Sequence, residues 1–422
     1  MLVTRGSTRH PLSESAGAAF SVAPAVETDV FIAGGGPAGL ACAIALATKG
    51  LRVHVADGMK PPIDKACGEG LMPDTVAALK RLGISLDAVG DERPELHARI
   101  RGIRFIDTTG SAVAQAVFPS GDGRGMKRRR LHQLLLDRAT ELGVGFTWET
   151  VVRGIAGQEG EGSTVETNRG SMRARFIVGA DGHQSRIRTC AGLDRASVTA
   201  RRIGLRQHFA VAPWSEFVEV YWSGQGQAYV TPVAPGEVCV AFVAHRKFAG
   251  GVAEALSHFP DLMARLAGAA LSDAPRGSIT YSRKLHRVTS GNIALLGDAS
   301  GSVDAVTGEG LSLCFRQALV LADAIDRDDL PAYQKAHAAM RRLPHLMAGT
   351  LLLLDRFPFL RSHSIAMLER YPWIFARLLE VHIGHAAPRL CGESGLVAAG
   401  LDRWPAEPPV GRMSSTPHDA VT

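Results

Sequence analysis

The sequence predicts an α/β protein: a parallel-sheet domain, an inserted and mainly antiparallel β-sheet domain, and a helical C-terminal region. Three observations predict it. The first is VFIAGGGPAGLACAIALA, Val30 to Ala47, followed by a second strand, LRVHVA, that stops at Asp57. The second is a pair of later strands, FIVGADG and NIALLGDAS, each ending in an acid–glycine pair. The third is a set of alternating runs between residues 196 and 285, among them FVEVYWS, QAYVTPV and EVCVAFVA. Their period of two is that of half-buried strands.

A chain of 422 residues is too long for one simple core, which suggests two domains or one large domain with insertions. With 46% apolar and 21% charged residues it reads as a soluble globular protein. The net charge is +6, but apart from MKRRR at 126–130 the basic residues are scattered. That distribution suits anionic small molecules and argues against a nucleic-acid partner. Six cysteines without a C-x-x-C exclude a disulfide framework and a zinc site, so no metal is expected. A reducing cytoplasm fits this cysteine usage. Residues 1–27, rich in Ala, Ser and Thr, lack the apolar core of a signal peptide and read as a disordered arm.

Taken in order, Val30–Ala33 is a strand and 38–48 a helix closed by Lys49–Gly50. The run from Val30 is uncharged and long enough to suggest a bilayer span. Four glycines and Pro37 interrupt it, however, so it reads as strand, turn and helix. Residues 61–71 are loop, and 74–82 a helix stopped by Gly83. Strand-like pieces fill 99–118. RRRLHQLLLDRATELG, 128–143, is an amphipathic helix, followed by the strand FTWETVV and a hairpin over 164–178. Residues 309–326 and 331–385 are mostly helical. The resulting division places 28–98, 126–195 and 286–330 in a discontinuous nucleotide-binding domain. Residues 99–125 and 196–285 form the sheet domain, 331–405 the helical region and 406–422 a disordered tail. No internal repeat interrupts this order.

Gly34, Gly36 and Gly39 fit G-x-G-x-x-G between a strand and a helix, with Asp57 ending the next strand eighteen residues after Gly39. The glycines permit a tight turn and close approach of a pyrophosphate to the helix N-terminus, and the Asp57 carboxylate is placed to accept from a ribose diol. This is a Rossmann-type dinucleotide site.

Two further stretches separate the dinucleotides: GADGHQSRIR at 179–188 and LLGDASGSVDAVTGEGLS at 295–312. With them the chain resembles the flavoprotein monooxygenase superfamily, the para-hydroxybenzoate hydroxylase-like proteins, over roughly residues 28–330. Its motifs are most similar to those of the geranylgeranyl reductase and flavin-dependent halogenase branch. The resemblance implies FAD. It implies that Gly297 and Asp298 meet the ribityl chain, with Asp298 as hydrogen-bond acceptor. It implies that the helix opening at Gly308 and Gly310 points its amides at the flavin N1/O2 edge. It places Asp181 and Gly182 by the pyrophosphate, and in relatives also near the nicotinamide donor, and it lets Arg128 reach FAD. No second G-x-G-x-x-G is evident, so a dedicated NAD(P)-binding domain is not indicated; the resemblance implies that NAD(P)H docks transiently, reduces the flavin and leaves.

In the same resemblance the glycines around Cys67 let the chain pass close over the isoalloxazine ring. Cys67 is either an inert buried thiol or a flavin- or substrate-contacting one. Glu69 reads as a structural hydrogen-bond acceptor, and Cys42 as core. EVYWSGQGQAYVTPV, 219–233, resembles the reductase branch, where a Tyr-x-x-x-Pro strand borders the substrate cavity. Tyr229, Tyr221 and His208 are candidate cavity residues, or ordinary packing residues with one wet end. The halogenase Trp-x-Trp-x-Ile-Pro signature is absent, which sets halogenation behind the other activities.

The expected activity is that of an FAD-dependent, NAD(P)H-using monooxygenase hydroxylating an aromatic or polyketide-like molecule of the secondary-metabolite kind. The alternative is an alkene reductase acting on a prenyl or lipid substrate; a flavin-binding protein without turnover is a third class that no residue favours. The partner is then an apolar or aromatic small molecule. The C-terminal runs RRLPHLMAGTLLLLDRFPFL and YPWIFARLLEVHIG are broken by Pro, Asp and Arg, so neither spans a bilayer. They suit a lid, a dimer contact or a peripheral membrane contact.

Overall fold

The computed structural model describes residues 27–87, 94–107, 113–157, 162–245 and 247–383. All but Glu27 of the expected N-terminal arm, the C-terminal region from residue 384 and the tail lie outside them.

The first sheet grows outward from the βαβ unit. Strand β1 (Thr28–Ala33) pairs in parallel with β2 (Val53–Asp57) on one side and with the second half of β11 (Gly170–Gly179) on the other. Val30, Phe31, Ile32 and Ala33 are all buried, the continuous apolar run of a strand covered on both faces. Helix α1 (Pro37–Thr48) starts with proline at its first turn and buries nearly every residue from Pro37 to Leu46. It lies between this sheet and two helices, α3 (Arg128–Glu141) and α7 (Gly310–Asp326). A helix apolar all round is what that burial demands, and no described helix is long and apolar enough to cross a membrane.

Strand β8 (Gly145–Trp148) extends the sheet beyond β2, and β19 (Ile293–Leu295) beyond β11, both parallel. β18 (Thr289–Ser290) closes that edge antiparallel to β19. β9 (Val152–Ala156) and β10 (Ser163–Thr167) form an antiparallel flap on the first half of β11. In the register, Ala33 faces both Ala56 and Gly179, and Gly179 faces Leu295. The strand ends that carry the three motifs therefore lie side by side at one edge, the edge where open α/β sheets bind ligands.

The second sheet is ordered β20 (Gly301–Ser302), β17 (Arg276–Leu285), β12 (Ala196–Ala210), β15 (Glu237–Ala244), β14 (Gly226–Ala234), β13 (Phe217–Ser223), β5 (Gly102–Ile106) and β6 (Val113–Val117), with β16 (Ala270–Leu271) beside β12. Its neighbours run antiparallel except β13 and β5. β3 (Gly70–Leu71), β7 (Gly123–Gly125) and β4 (Ala98–Ile100) make a small separate sheet, next to helix α2 (Pro73–Arg81). Three short helices carry no sequence expectation: α4 (Arg186–Cys190), α5 (Gly251–Ser257) and α6 (Pro260–Arg265). None is long enough for a helical period to show.

The two faces of the second sheet differ. Phe209, Tyr221, Val230, Val240 and Phe242 point toward α5 and α6 and pack with Phe259 and Leu262. Helices α8 (Leu330–Met340), α9 (Arg342–Arg356), α10 (Pro358–Arg370) and α11 (Pro372–His382) make up the described part of the C-terminal region. Ile365, Leu368, Phe375 and Leu379 of α10 and α11 cover Ile103, Val218, Val220 and Trp222 on the opposite face. The rest of that opposite face, on β12, β14 and β15, meets the loop around Cys67 and Glu69 and the turn at Asp304–Val306.

Candidate cofactor and active site

The glycines of the first turn serve different ends. Gly34 has φ of +112°, and a Cβ there would stand 2.3 Å from the Ala180 carbonyl oxygen. A Cβ on Gly39 would stand 1.9 Å from the Gly34 oxygen, so only glycine lets α1 press against the turn. Gly36 has nothing within 4 Å of where its Cβ would lie. It is the N-cap of α1, which has no side-chain cap and no acid in its first turn. Bare backbone at an uncapped helix N-terminus is a cradle for an anion. Asp57 ends β2 with one carboxylate oxygen 2.7 Å from the Gly35 amide and the other 2.8 Å from that of Met59. Each oxygen keeps a lone pair for a further donor.

Two residues at this turn escaped the sequence reading. The Trp148 ring occupies the space a Cβ on Gly35 would need, at 2.5 Å. His132, buried on α3, donates from Nε2 to the Gly35 carbonyl at 2.9 Å. Burial holds its pKa below the ordinary value, against the pull of that bond, so the ring is neutral. Its position four residues after Arg128, on the same helix face, is the signal that marks it.

Asp181 follows β11. One of its oxygens accepts from the amides of Arg186 and Ile187, at 2.6 and 3.2 Å, and the other is buried without a hydrogen-bond partner. Gly182 turns the chain with φ of +80°. Gly297, with φ of +59°, passes so close to α1 that a Cβ would lie 2.9 Å from that of Ala38. This brings Asp298 to the start of α1, where its half-exposed carboxylate lies 3.3 Å from His183 Nε2.

The third motif forms the N-terminus of α7. Neither Gly308 nor Gly310 has an atom within 4 Å of its Cβ position, and α7 starts without a side-chain cap. Glu309 turns inward, 3.6 Å from His382 Nδ1, and burial pushes its pKa up to about 8. Tyr229 reaches the preceding turn from β14 and donates its hydroxyl to the Val306 carbonyl at 2.7 Å, with the Gln227 side-chain carbonyl against the same hydroxyl. Burial raises the pKa of this phenol, which stays neutral.

The Cys67–Glu69 loop is held from below by the second sheet. Glu69 is buried in a left-handed conformation with φ of +60°, which a non-glycine residue adopts only when its surroundings compel it. Its Oε1 accepts from the Arg128 amide at 2.9 Å and from Arg206 Nη1 at 2.7 Å, and its Oε2 from His208 Nε2 at 2.6 Å. His208 Nδ1 lies 2.8 Å from Asp273, and Arg206 also meets Asp64 at 3.1 Å. Burial alone would lower the His208 pKa, but the bonds to Glu69 and Asp273 raise it above its ordinary value. Glu69 is thus a structural acceptor that caps α3. Glu69, His208 and Cys239 bring ligand atoms within 4.8 Å of one another, but Arg206 and His208 already take both Glu69 oxygens.

Burial raises the Cys67 pKa, outweighing the Arg128 charge beside it, so the thiol stays protonated. Its sulfur accepts from the Glu69 amide at 3.4 Å. The Arg128 Nε is buried without a partner. Tyr221 does not share the Tyr229 face. Val220 is the residue opposite Tyr229, so Tyr221 points the other way and donates to Glu219 at 2.8 Å. There it lines a cavity of about 520 Å³ with Arg104, Asp261 and Arg265.

FAD fits this edge. Gly36, Gly308 and Gly310 leave bare backbone at two uncapped helix N-termini, and Arg128 Nε and Asp181 Oδ1 hold unused hydrogen-bonding capacity. The FAD binding domain family matches residues 27–326. Menaquinone reductase of Mycolicibacterium smegmatis is 26% identical over 333 residues, 73% of this chain and 78% of that protein. Ubiquinone hydroxylase UbiL of Rhodospirillum rubrum is 28% identical over 347 residues, 76% and 79% of the two chains. Digeranylgeranylglycerophospholipid reductase 1 of Methanococcoides burtonii is 24% identical over 324 residues, 72% and 76%. In fold the chain is similar to the flavin-dependent halogenase CmlS, with a TM-score of 0.70 at 21% identity over 84% of this chain and 72% of that one. It is equally similar to p-nitrophenol 4-monooxygenase PnpA of Pseudomonas putida DLL-E4, with a TM-score of 0.70 at 19% identity over 85% and 96%. The chain belongs to the FAD binding domain family and is an FAD-dependent oxidoreductase of the flavoprotein monooxygenase fold.

Proposed function

We propose that the protein is an NAD(P)H-using monooxygenase that hydroxylates a compact aromatic or polyketide-like molecule. The observation that carries this reading is the chemistry of the sheet face beside the Cys67 loop and the α7 turn. Its apolar part, around Val218, Val220 and Trp222, is already filled by α10 and α11. What faces the cofactor edge is rich in polar groups, Arg202, Arg206 and His208 on β12 and Gln227, Tyr229 and Thr231 on β14, with Cys239, Ala241 and Val243 of β15 between them. Such a lining suits a ring that carries hydrogen-bonding groups better than a long prenyl chain. The hydroxylase among the relatives, named for ubiquinone, supports hydroxylation over reduction.

In this reading Asp57 holds the adenosine ribose, and Gly34, Gly36 and Gly39 admit the pyrophosphate. Arg128, Asp181 and Gly182 complete that anion site. Gly297 and Asp298 bind the ribityl chain, and the amides at Gly308 and Gly310 face the flavin N1/O2 edge. Bound FAD supplies the electron transfer and oxygen activation. The chain's own residues orient and enclose: Tyr229 and Gln227 present neutral polar groups to the substrate, and the Glu69 hub holds the Cys67 loop closed over the ring. NAD(P)H docks transiently.

The test is NAD(P)H oxidation with candidate phenols under labelled dioxygen. Label in a hydroxylated product is the expected result. A second reading, reduction of a prenyl or quinone side-chain alkene, draws on the protonated Cys67 thiol as a proton source and on the reductases among the relatives. Anaerobic saturation of a polyprenyl substrate, with no label incorporated in air, would replace the first reading with the second.

A further inference from the structure

We propose that Arg202 is a positioning residue of the FAD site, and that the C-terminal helices act on the flavin through it. The inference rests on the placement of the α7 N-terminus at the flavin described above.

The turn from Asp304 to Gly308 aims α7. Asp304 Oδ1 accepts from the Val306 amide at 3.1 Å, and Tyr229 donates to the Val306 carbonyl from the opposite side. The other Asp304 oxygen makes no hydrogen bond, and it lies 3.4 Å from Arg202 Nε on β12. Arg202 Nη1 lies 2.9 Å from Asp355 of α9, and His245 meets the same Asp355 oxygen at 2.9 Å. The three side chains of this clasp are almost wholly buried: Asp304 and Asp355 at 1% exposure and Arg202 at 6%.

A buried cation shared by two buried carboxylates couples the segments that carry them, because losing one partner leaves an uncompensated charge. The seating of α9 thus governs Arg202, and Arg202 governs Asp304. The same helical region also grips the start of this segment. Arg341, between α8 and α9, donates to the carbonyls of Ser300 at 2.9 Å and Arg283 at 2.7 Å. A Cβ on Gly301 would stand 2.4 Å from its Nη1, so the chain wraps the guanidinium closely. Residues 300–307 are therefore held at both ends by the C-terminal helices. The amides this segment aims are the ones that favour negative charge at the flavin edge, and their effect depends on fixed geometry.

The experiment compares the holoprotein with Asp355→Asn, Arg202→Lys and Asp304→Asn in FAD stoichiometry, visible spectrum and midpoint potential. Each variant is expected to bind one FAD per chain but to prefer reduced over oxidised flavin about tenfold less, a potential about 30 mV more negative for a two-electron couple. The double variant Asp304→Asn/Asp355→Asn should shift no further than the single ones, because one clasp is broken in each. Tyr229→Phe releases the turn from the other side without burying a charge; it should shift the potential in the same direction, and an unchanged potential there overturns the proposal even if the clasp variants do not fold, because the turn then does not tune the flavin. Unchanged potentials and spectra in variants that bind FAD overturn the proposal. Wild-type protein that binds no FAD overturns instead the reading on which it rests.

Discussion

His208 Nε2 lies 2.6 Å from Glu69 Oε2, with both side chains buried and 139 residues apart in the chain. The pair ties the Cys67–Glu69 loop to the second sheet, and its stability depends on the imidazole charge. Because the folded His208 pKa is raised, its contribution is fully present below about pH 6.5 and is lost as pH rises through the folded value. His208→Gln should lower the midpoint of thermal unfolding at pH 6 and flatten its decline at higher pH. Glu69→Ala takes one buried carboxylate partner from both Arg206 and His208, and the acceptor from the Arg128 amide, and should cost about 3–5 kcal/mol in denaturant unfolding. A loss within experimental error of zero would rule out the hub.

Two glycines three residues apart should respond in opposite ways. Gly36 is open, so Gly36→Ala should leave the apoprotein as stable as wild type while weakening FAD binding about tenfold or more, about 1.4 kcal/mol. Gly39→Ala forces a Cβ to within 1.9 Å of the Gly34 oxygen and should destabilise the fold itself. Calorimetry of the apoproteins and fluorescence titration with FAD separate the two effects. Equal FAD affinity in Gly36→Ala and wild type would remove the cradle.

Asp298 is half-exposed, and His183 is the partner seen for it, so the fold does not depend on it. Asp298→Ala should purify with little bound flavin and unfold at the wild-type apoprotein midpoint. Full yellow occupancy would end its assignment to the ribityl chain.

Glu309 carries a burial penalty when ionised. Its folded pKa of about 8 exceeds the ordinary 4.5, so the protein loses stability as pH rises through that window. Glu309→Gln removes the charge and should gain about 1–3 kcal/mol at pH 8 with no gain at pH 4. Chemical unfolding at the two pH values checks the sign. An equal effect at both would show that Glu309 does not titrate there.

The strand–turn–helix around Gly34 was legible because its causes are local: glycine freedom, Pro37 at a helix start, an apolar run bounded by charge. The acid–glycine endings at Asp181 and Gly297–Asp298 were legible for the same reason. Tyr229 and Tyr221 were not told apart. Both sit on strands, and which one faces the cofactor edge depends on the pairing of Val220 with Tyr229, a register between strands. His132 and Trp148 were missed because their partner is a single backbone residue, Gly35, far from them in sequence.

Local chain chemistry thus established the nucleotide-binding turn, the order of the motifs and the βαβ start, since each depends on residues within a few positions. The folded arrangement alone chose the charge partners. Glu69 and Asp273 reach Arg206 and His208 of β12 from two distant loops, and Asp304 and Asp355 reach Arg202 of the same strand from a turn and a helix. Buried ionic groups must find partners in space, and the packing of β12 against the Glu69 loop, the Asp304 turn and α9 determined which ones lay within reach.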